Sequence, residues 1–485
     1  MRWIIILVLL HAAIANARSA ERLNVLFIAI DDLRPELGVY GSPAKSPRLD
    51  ALAAAGTVFD RAYCQVALCM PSRGSLMTGL RPDTIRMYAF DRDFRETVPD
   101  AVTLPEQFKK HGYHTQAFGK IFHKDDPQSW CTPLWRSRQP EYHTEKGTKI
   151  LEYIKTDYRR ITFTWELGDG FTKSKRMGGL PLESPDVPDR SLRDGDMTDQ
   201  VIRALNEVKD KPFFLAAGYL KPHLPFVAPK NYFDLYDRDK IELAANPLPP
   251  KDSPDFAVYN WNDMRHYYGI PKIGPMPDRL SRDLRHAYYA CVTYVDAQIG
   301  RLLDELDRLK LRDNTVVIVW GDHGWQLGEH GMWDKHSNFE TSTRVPMIIS
   351  VPGQKPDRTK ALVELVDIYP TLCDLCQVPA PDNLEGASFV PLIERPDRPG
   401  KSAAFSQYQR VIPGHGKGMG YSMRTEHYRL TRWYGAKGEL VATELYDHQT
   451  DPQENVNIAG LKENAALLKE LTSQQDLGWQ KAGPL

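Results

Sequence analysis

A chain of 485 residues with 42% hydrophobic content can bury one large core and a smaller companion, so one main active site is expected rather than a string of modules. Its 62 basic and 63 acidic residues nearly cancel, which leaves no electrostatic footprint for nucleic acid and makes any preference for anions local. Six cysteines in this length exclude a disulfide scaffold.

The chain opens with Arg2, the apolar run Trp3 to Leu10 and Ala15-Asn16-Ala17, the three parts of a secretory signal peptide over residues 1–17. That run is shorter than the roughly 20 apolar residues of a spanning helix, although an uncleaved anchor is the alternative. No later segment is apolar enough to cross a bilayer. The expected location is an exported one: periplasm, exterior or a lysosome-like compartment, with no membrane span after cleavage.

Asn24 to Ile30, Pro212 to Tyr219, Thr315 to Trp320 and Val345 to Val351 read as buried strands of a mainly parallel sheet, with a further strand at His114 to Phe118. Helical patterns at Arg48 to Ala55, Leu104 to His111, Asp196 to Lys209 and Arg285 to Leu309 alternate with them. The fold class is therefore α/β, a large mainly parallel or mixed sheet sandwiched by helices. Lys124 to Asp194, rich in Pro, Gly, Ser and charge, reads as a long insertion of loops forming a pocket wall. Asp367 to Gln377 reads as a helix. Its Cys373 and Cys376, with no His or second pair nearby, suit core packing or one local disulfide better than zinc. Glu394 to Gly400 is a linker, and Tyr428 to Tyr434, Glu444 to Tyr446 and a helix around Asn464 to Thr472 give a smaller α+β subdomain. The expected boundaries are 18–395 for the catalytic domain and 396–485 for the C-terminal subdomain.

Ionisable residues gather just past the strands: Asp31-Asp32, Lys120 and His123, Lys221 and His223, Asp322-His323. In open α/β sheets ligands bind beyond the carboxyl ends, so these distant residues can converge. Two adjacent carboxylates repel unless a cation or strong donors compensate. Either Asp pair alone is equally a cap or a turn. Together, with one imidazole, they suit a hard cation such as calcium or magnesium.

Cys69-Met70-Pro71-Ser72-Arg73, continuing to Thr78-Gly79, resembles the signature of the sulfatase family, Cys-X-Pro-Ser-Arg followed by a hydrophobic-Thr-Gly segment. Further stretches carry the resemblance from Asn24 to about Val351: Asp31 to Pro35, Arg81 to Thr84, Gly119 to His123, Gly218 to His223, Gly321 to Trp325, Gly328 to Gly331 and Lys335 to Phe339. It is weaker over Ala404 to Asn457. Met70 is a less usual residue after the Cys, and His323 stands where many members have Asn.

The resemblance implies an alkaline-phosphatase-like fold and a sulfuric ester hydrolase acting on a sulfated carbohydrate, with the 2-O-sulfate of a uronic acid preferred. It implies that Cys69 is oxidised to formylglycine (3-oxoalanine) by a sulfatase-maturing enzyme. One hydroxyl of the hydrated aldehyde attacks sulfur, and deprotonation of the other releases sulfate. Asp31, Asp32, Asp322 and His323 match the ligands of one calcium per chain, with modified Cys69 adding an oxygen. Arg73, Lys120 and His123 match the nucleophile pocket, with His123 as base; His223 and Lys335 match sulfate contacts that assist the leaving group. His330 and His336 read as structural. Three other readings remain: a sulfatase acting on another sulfated polysaccharide or sugar, a phosphodiesterase on the same scaffold, against which the signature argues, and a secreted binder lacking the modification. The cation that would meet a uronate carboxylate lies among many candidates in Lys124 to Asp194 and Arg424 to Arg432, and nothing in the sequence selects one.

Overall fold

The computed structural model describes residues 22–156, 162–166, 172–258 and 263–483, so the expected signal peptide lies outside the described residues. Seven strands form the central sheet: β1 (Asn24–Ile30), β2 (Thr57–Tyr63), β3 (His114–Gly119), β4 (Phe213–Tyr219), β5 (Thr315–Gly321), β6 (Arg344–Ser350) and β7 (Asp357–Glu364). Their spatial order is β7-β2-β6-β5-β1-β4-β3. The helices α1 (Pro47–Ala53), α2 (Cys69–Thr78), α3 (Leu104–Lys110), α4 (Arg193–Val208), α5 (Asp278–Arg308) and α6 (Ile368–Leu375) cover the sheet on both faces, as the alternation of patterns predicts.

Strand β1 is buried along its whole length, which is why its sequence shows no polar alternation. Leu26, Ile28 and Ile30 pack with Val201 and Leu205 of α4 and Tyr288 and Ile299 of α5. Val25, Phe27 and Ala29 point the other way, into a second core with Leu76 of α2, Phe108 of α3 and Leu372 of α6.

Strands β5, β1, β4 and β3 are parallel neighbours in one register: Ile30 lies opposite Tyr219 and Gly321, and Gly119 opposite Gly218. Four strands thus end level with one another. The residues that follow, Asp31, Lys120, Leu220 and Asp322, emerge at one edge.

The structure departs from the sequence expectations in several places. Strand β6, expected among the parallel strands, runs antiparallel to both β5 and β2. The chain from β5 to β6 carries only a 3-10 turn at Glu329–Gly331 and a short helix at Glu340–Thr343. Without a crossover it leaves and returns at the same edge, which forces reversal. Strands β2 and β7 were not anticipated because Asp60-Arg61 and Asp357-Arg358 break their apolar content. Charge suits β7, an edge strand. The 124–194 segment is not loops alone, since it holds a helix at Glu145–Thr156 and a hairpin of Thr162–Glu166 with Thr172–Arg176. Cys373 and Cys376 are free and buried in the second core, so the local disulfide is absent and packing is their role.

Beyond the main sheet, β8 (Ala404–Ile412), β9 (Gly416–Arg424), β10 (Tyr428–Tyr434) and β11 (Leu440–Asp447) form an antiparallel meander, followed by α7 (Ala465–Asp476). Met423, Leu430, Leu445 and Leu471 make its small core. Strands β8 and β9 escape the sequence reading because Gly, Ser and Gln dilute their hydrophobic signal. Among the described residues no helix is long and apolar enough to cross a membrane.

Candidate active site

Helix α2 begins at Cys69, and all ten of its residues are buried. Pro71 sits in the first turn, where a missing N–H costs nothing. Gly79 ends the helix at φ 68°, a left-handed conformation that demands glycine, and a Cβ there would also push on Leu384 Cδ2 at 2.5 Å. The motif therefore builds a short helix whose N-terminus, with its partial positive charge, carries Cys69.

Asp31, Asp32, Arg73, Asp322 and His323 are fully buried, and Cys69 and Lys335 nearly so. Ligand atoms of Asp31, Asp32, Cys69 and His323 all lie within 4.8 Å of one another. Nε2 of His323 is 3.4 Å from Cys69 Sγ and 3.4 Å from Asp32 Oδ1. Its Nδ1 faces the Gly324 carbonyl at 2.9 Å, and a carbonyl only accepts, so Nδ1 carries the proton. In the neutral ring the Nε2 lone pair then points at the carboxylates, an arrangement suited to a shared cation.

Asp322 adjoins this group, with its Oδ1 3.6 Å from His323 Nε2. Its Oδ2 accepts from Arg73 Nε at 2.7 Å, and its Oδ1 accepts from the backbone N–H groups of Asp32, at 3.1 Å, and His323, at 3.0 Å. Arg73 also donates to the Lys120 carbonyl and, at 3.0 Å, to that of Ile121, and lies 3.4 Å from Asp31 Oδ1. Gly218 lets these strand ends close: a Cβ there would meet the Lys120 carbonyl at 2.1 Å.

The charges are matched in part. Burial raises the Asp31 carboxyl, but Lys120, which pairs directly with it, His223 and Arg73 outweigh that and hold it well below the usual range. Burial pushes Asp32 up to about 8, against Lys335 at 2.8 Å and with repulsion from Asp31. Its Oδ2 is a buried acceptor without a hydrogen-bond partner. The other oxygen, Oδ1, is the one 3.4 Å from His323 Nε2, and an orphaned carboxylate oxygen in such a cluster marks a place where a cation fits. Lys335 is raised well above its ordinary range, since Asp32 outweighs its desolvation; it also lies 3.2 Å from Asp263 and 5.2 Å from the Trp325 ring. Burial, then the Asp31 charge, pushes the Cys69 thiol up to about 11, so the unmodified thiol is protonated and unreactive at neutral pH.

His223 Nε2 is 3.9 Å from Asp32 Oδ2, and its Nδ1 is held by the Leu224 carbonyl. His123 joins the group through the cavity it lines with Lys120. Desolvation and then the Lys120 charge lower its imidazole to about 4, leaving it neutral and able to accept a proton. His330 contacts the Gln453 carbonyl and His336 stacks on Tyr408. Sequence reasoning missed Asp263, Tyr288, whose hydroxyl bonds the Asp32 carbonyl at 2.8 Å, and Asp194, which fixes the backbone of Leu220 and Lys221. Tyr288 and Asp194 sit in helices, where no strand-end signal flags them.

A family model described as Sulfatase matches residues 23–378, and one described as N-sulphoglucosamine sulphohydrolase, C-terminal, matches residues 328–478. The chain is 35% identical to iduronate 2-sulfatase of Homo sapiens over 91% of this chain and 92% of that protein. It resembles in fold a structure described as in complex with its substrate D-glucosamine-2-N,6-O-disulfate (TM-score 0.71, 24% identity, 95% and 98% of the two chains). It also resembles a phosphonate monoester hydrolase from Silicibacter pomeroyi (TM-score 0.74, 24% identity, 95% and 96%).

Proposed function

The chain belongs to the sulfatase family of sulfuric ester hydrolases, and from that premise we propose that it is an exported enzyme removing the 2-O-sulfate of a uronic acid in a glycosaminoglycan-type sugar. The observation that carries the reading is the buried cluster of Asp31, Asp32, Cys69 and His323, enclosed by Arg73, Lys120 and Lys335. The named substrate of the human relative supports the uronate. A signal peptide at 1–17, a catalytic domain at 18–395 and a C-terminal subdomain at 396–485 complete the proposal.

In this reading a maturing enzyme converts Cys69 to formylglycine, whose hydrated aldehyde supplies the nucleophilic oxygen that a protonated thiol cannot. Asp31, Asp32, Asp322, His323 and modified Cys69 would hold a calcium ion, which supplies positive charge toward the sulfate oxygens. The chain's own groups do the rest. Arg73, Lys120 and Lys335 offset the charge of the sulfate ester from a water-poor site, where fixed cations act strongly. His123 takes a proton from the nucleophilic side. His223 and Lys335 orient the sulfate and assist the leaving oxygen.

Fold similarity alone does not separate sulfate from phosphonate chemistry, because both kinds of hydrolase share this scaffold. The discriminating experiment compares aryl sulfate, aryl phosphate and aryl phosphonate esters, and then a panel of defined sulfated sugars. Turnover of sulfates, lost in Cys69→Ala, with preference for a 2-O-sulfated uronate, is the expected result. Preference for phosphorus esters, or for another sulfated sugar, would sink the corresponding part. An unmodified thiol in the Cys69 peptide, read by mass spectrometry from native-host protein, would point to a binder.

A further inference from the structure

The sulfate-binding cations are already claimed: Lys120 by Asp31, Lys335 by Asp32, Arg73 by Asp322. A second anionic group on the same sugar needs cations of its own. A cavity of about 290 Å³ is lined by Lys120 and His123 together with Arg136, Ser137, Arg193 and Asp194. That volume is near the lower end of cavities that hold small molecules, roughly 300–1,000 Å³.

Both arginines are mounted on rigid backbone. Arg136 directly follows Trp135, which bonds to β3 on both sides, donating to the Ala117 carbonyl at 3.1 Å and accepting from Gly119 N–H at 2.9 Å. Arg193 opens α4, and its Nε donates to the Gln139 carbonyl at 3.0 Å, which orients the guanidinium. Neither forms an ion pair among the described residues. Asp194, which lines the same cavity, spends both oxygens on the backbone N–H groups of Leu220, at 2.9 Å, and Lys221, at 2.8 Å, and forms no ion pair with either arginine. Two arginines without an ion pair among the described residues, beside Lys120 and His123, suit a planar carboxylate, which a guanidinium grips through paired hydrogen bonds.

We propose that Arg136 and Arg193 form the subsite for the carboxylate of the sulfated sugar. The inference rests on the uronate reading above and selects, among the described residues of the 124–194 segment, two cations that line a cavity together with Lys120 and His123.

The test measures kcat/KM of wild type, Arg136→Gln and the Arg136→Ala/Arg193→Ala double variant on three probes: a 2-O-sulfated uronate disaccharide, its carboxyl-reduced counterpart and an aryl sulfate. Wild type should favour the carboxylate over the reduced sugar about 10- to 100-fold, the scale of a charged hydrogen-bonded pair, and the double variant should lose that preference. Equal losses on both sugars, or a wild-type ratio near one, would overturn the subsite alone. Cleavage of aryl sulfate without cleavage of the uronate sulfate would instead overturn the substrate reading, and the subsite with it. Arg136→Gln alters an exposed side chain, so it keeps the ratio readable if the double variant fails to fold; a full retained ratio there counts against the proposal.

Discussion

Asp32 combines three costs in one residue: full burial, a left-handed backbone at φ 59°, and a carboxylate oxygen with no donor. Such costs persist where surrounding structure and a ligand compensate. With the proposed calcium, chelation should lower the thermal midpoint, because a ligand at about 100 times its Kd stabilises the fold by about 2.7 kcal/mol. Asp32→Asn should abolish that chelator-dependent shift; an undiminished shift would place the metal elsewhere. His123 faces the cavity and is neutral at pH 7, so His123→Ala should cut kcat about 10²- to 10⁴-fold with little change in KM. Unchanged turnover would refute its role as base. Glu329 gives a stability prediction. Burial raises its carboxyl, but Arg34 at 3.0 Å and Arg285 at 3.4 Å hold it down to about 2, against an ordinary 4.5. A depressed carboxyl stabilises the fold above its unfolded value, and that contribution disappears as pH falls from about 4.5 toward 2. Glu329→Gln should flatten the acid limb of a stability profile in that window.

At the scale of elements, strands β5, β1, β4 and β3 act as rails that bring loops from distant parts of the chain to one edge. Helix α2 then slides Cys69 under them, where Arg73 clamps Asp322 to the Lys120 and Ile121 carbonyls. A second buried network secures the far side of the sheet. Glu364, at the end of β7, accepts from both terminal nitrogens of Arg81, at 2.8 and 2.6 Å, from Lys401 at 2.7 Å and from Phe405 N–H at 2.9 Å. Lys401 also pairs with Asp367, just before α6. Removing one partner strands buried carboxylates, so Lys401→Met should destabilise by about 3–5 kcal/mol in denaturant unfolding. A change under about 1 kcal/mol would mean that the network relaxes without it.

At the scale of the whole molecule, the meander β8–β11 is tied to the loop between β5 and β6, which carries His323 and Lys335. Arg429 of β10 bonds Glu340 and Glu454, and Arg424 reaches Glu340 at 3.3 Å. Glu340, His448 and Glu454 could by position hold a metal, but these arginines already fill the place of a cation. Arg429→Ala should therefore lower both the thermal midpoint and kcat, although Arg429 touches no proposed catalytic group; a lower midpoint with unchanged kcat would show that the meander only stabilises.

The sulfatase class was legible in residue order alone, because the Cys69 to Gly79 motif and the polar residues after the strands bind chemistry to local backbone rules. Asp31, His223 and Asp322 each follow a run whose burial is written in its own apolar content, Lys120 follows the half-polar strand His114–Gly119, and Pro71 and Gly79 specify a helix by local sterics. Only the tertiary structure decided the antiparallel course of β6, the strands β2, β7, β8 and β9, and the positions of Tyr288, Asp194 and Asp263. Their signals depend on what packs beside them rather than on their own spacing. It also places Arg73 against Asp322, and among the described residues it lines one cavity with Arg136 and Arg193 next to Lys120. Which of many cations reaches a given point is a property of distance in space, and no local pattern encodes it.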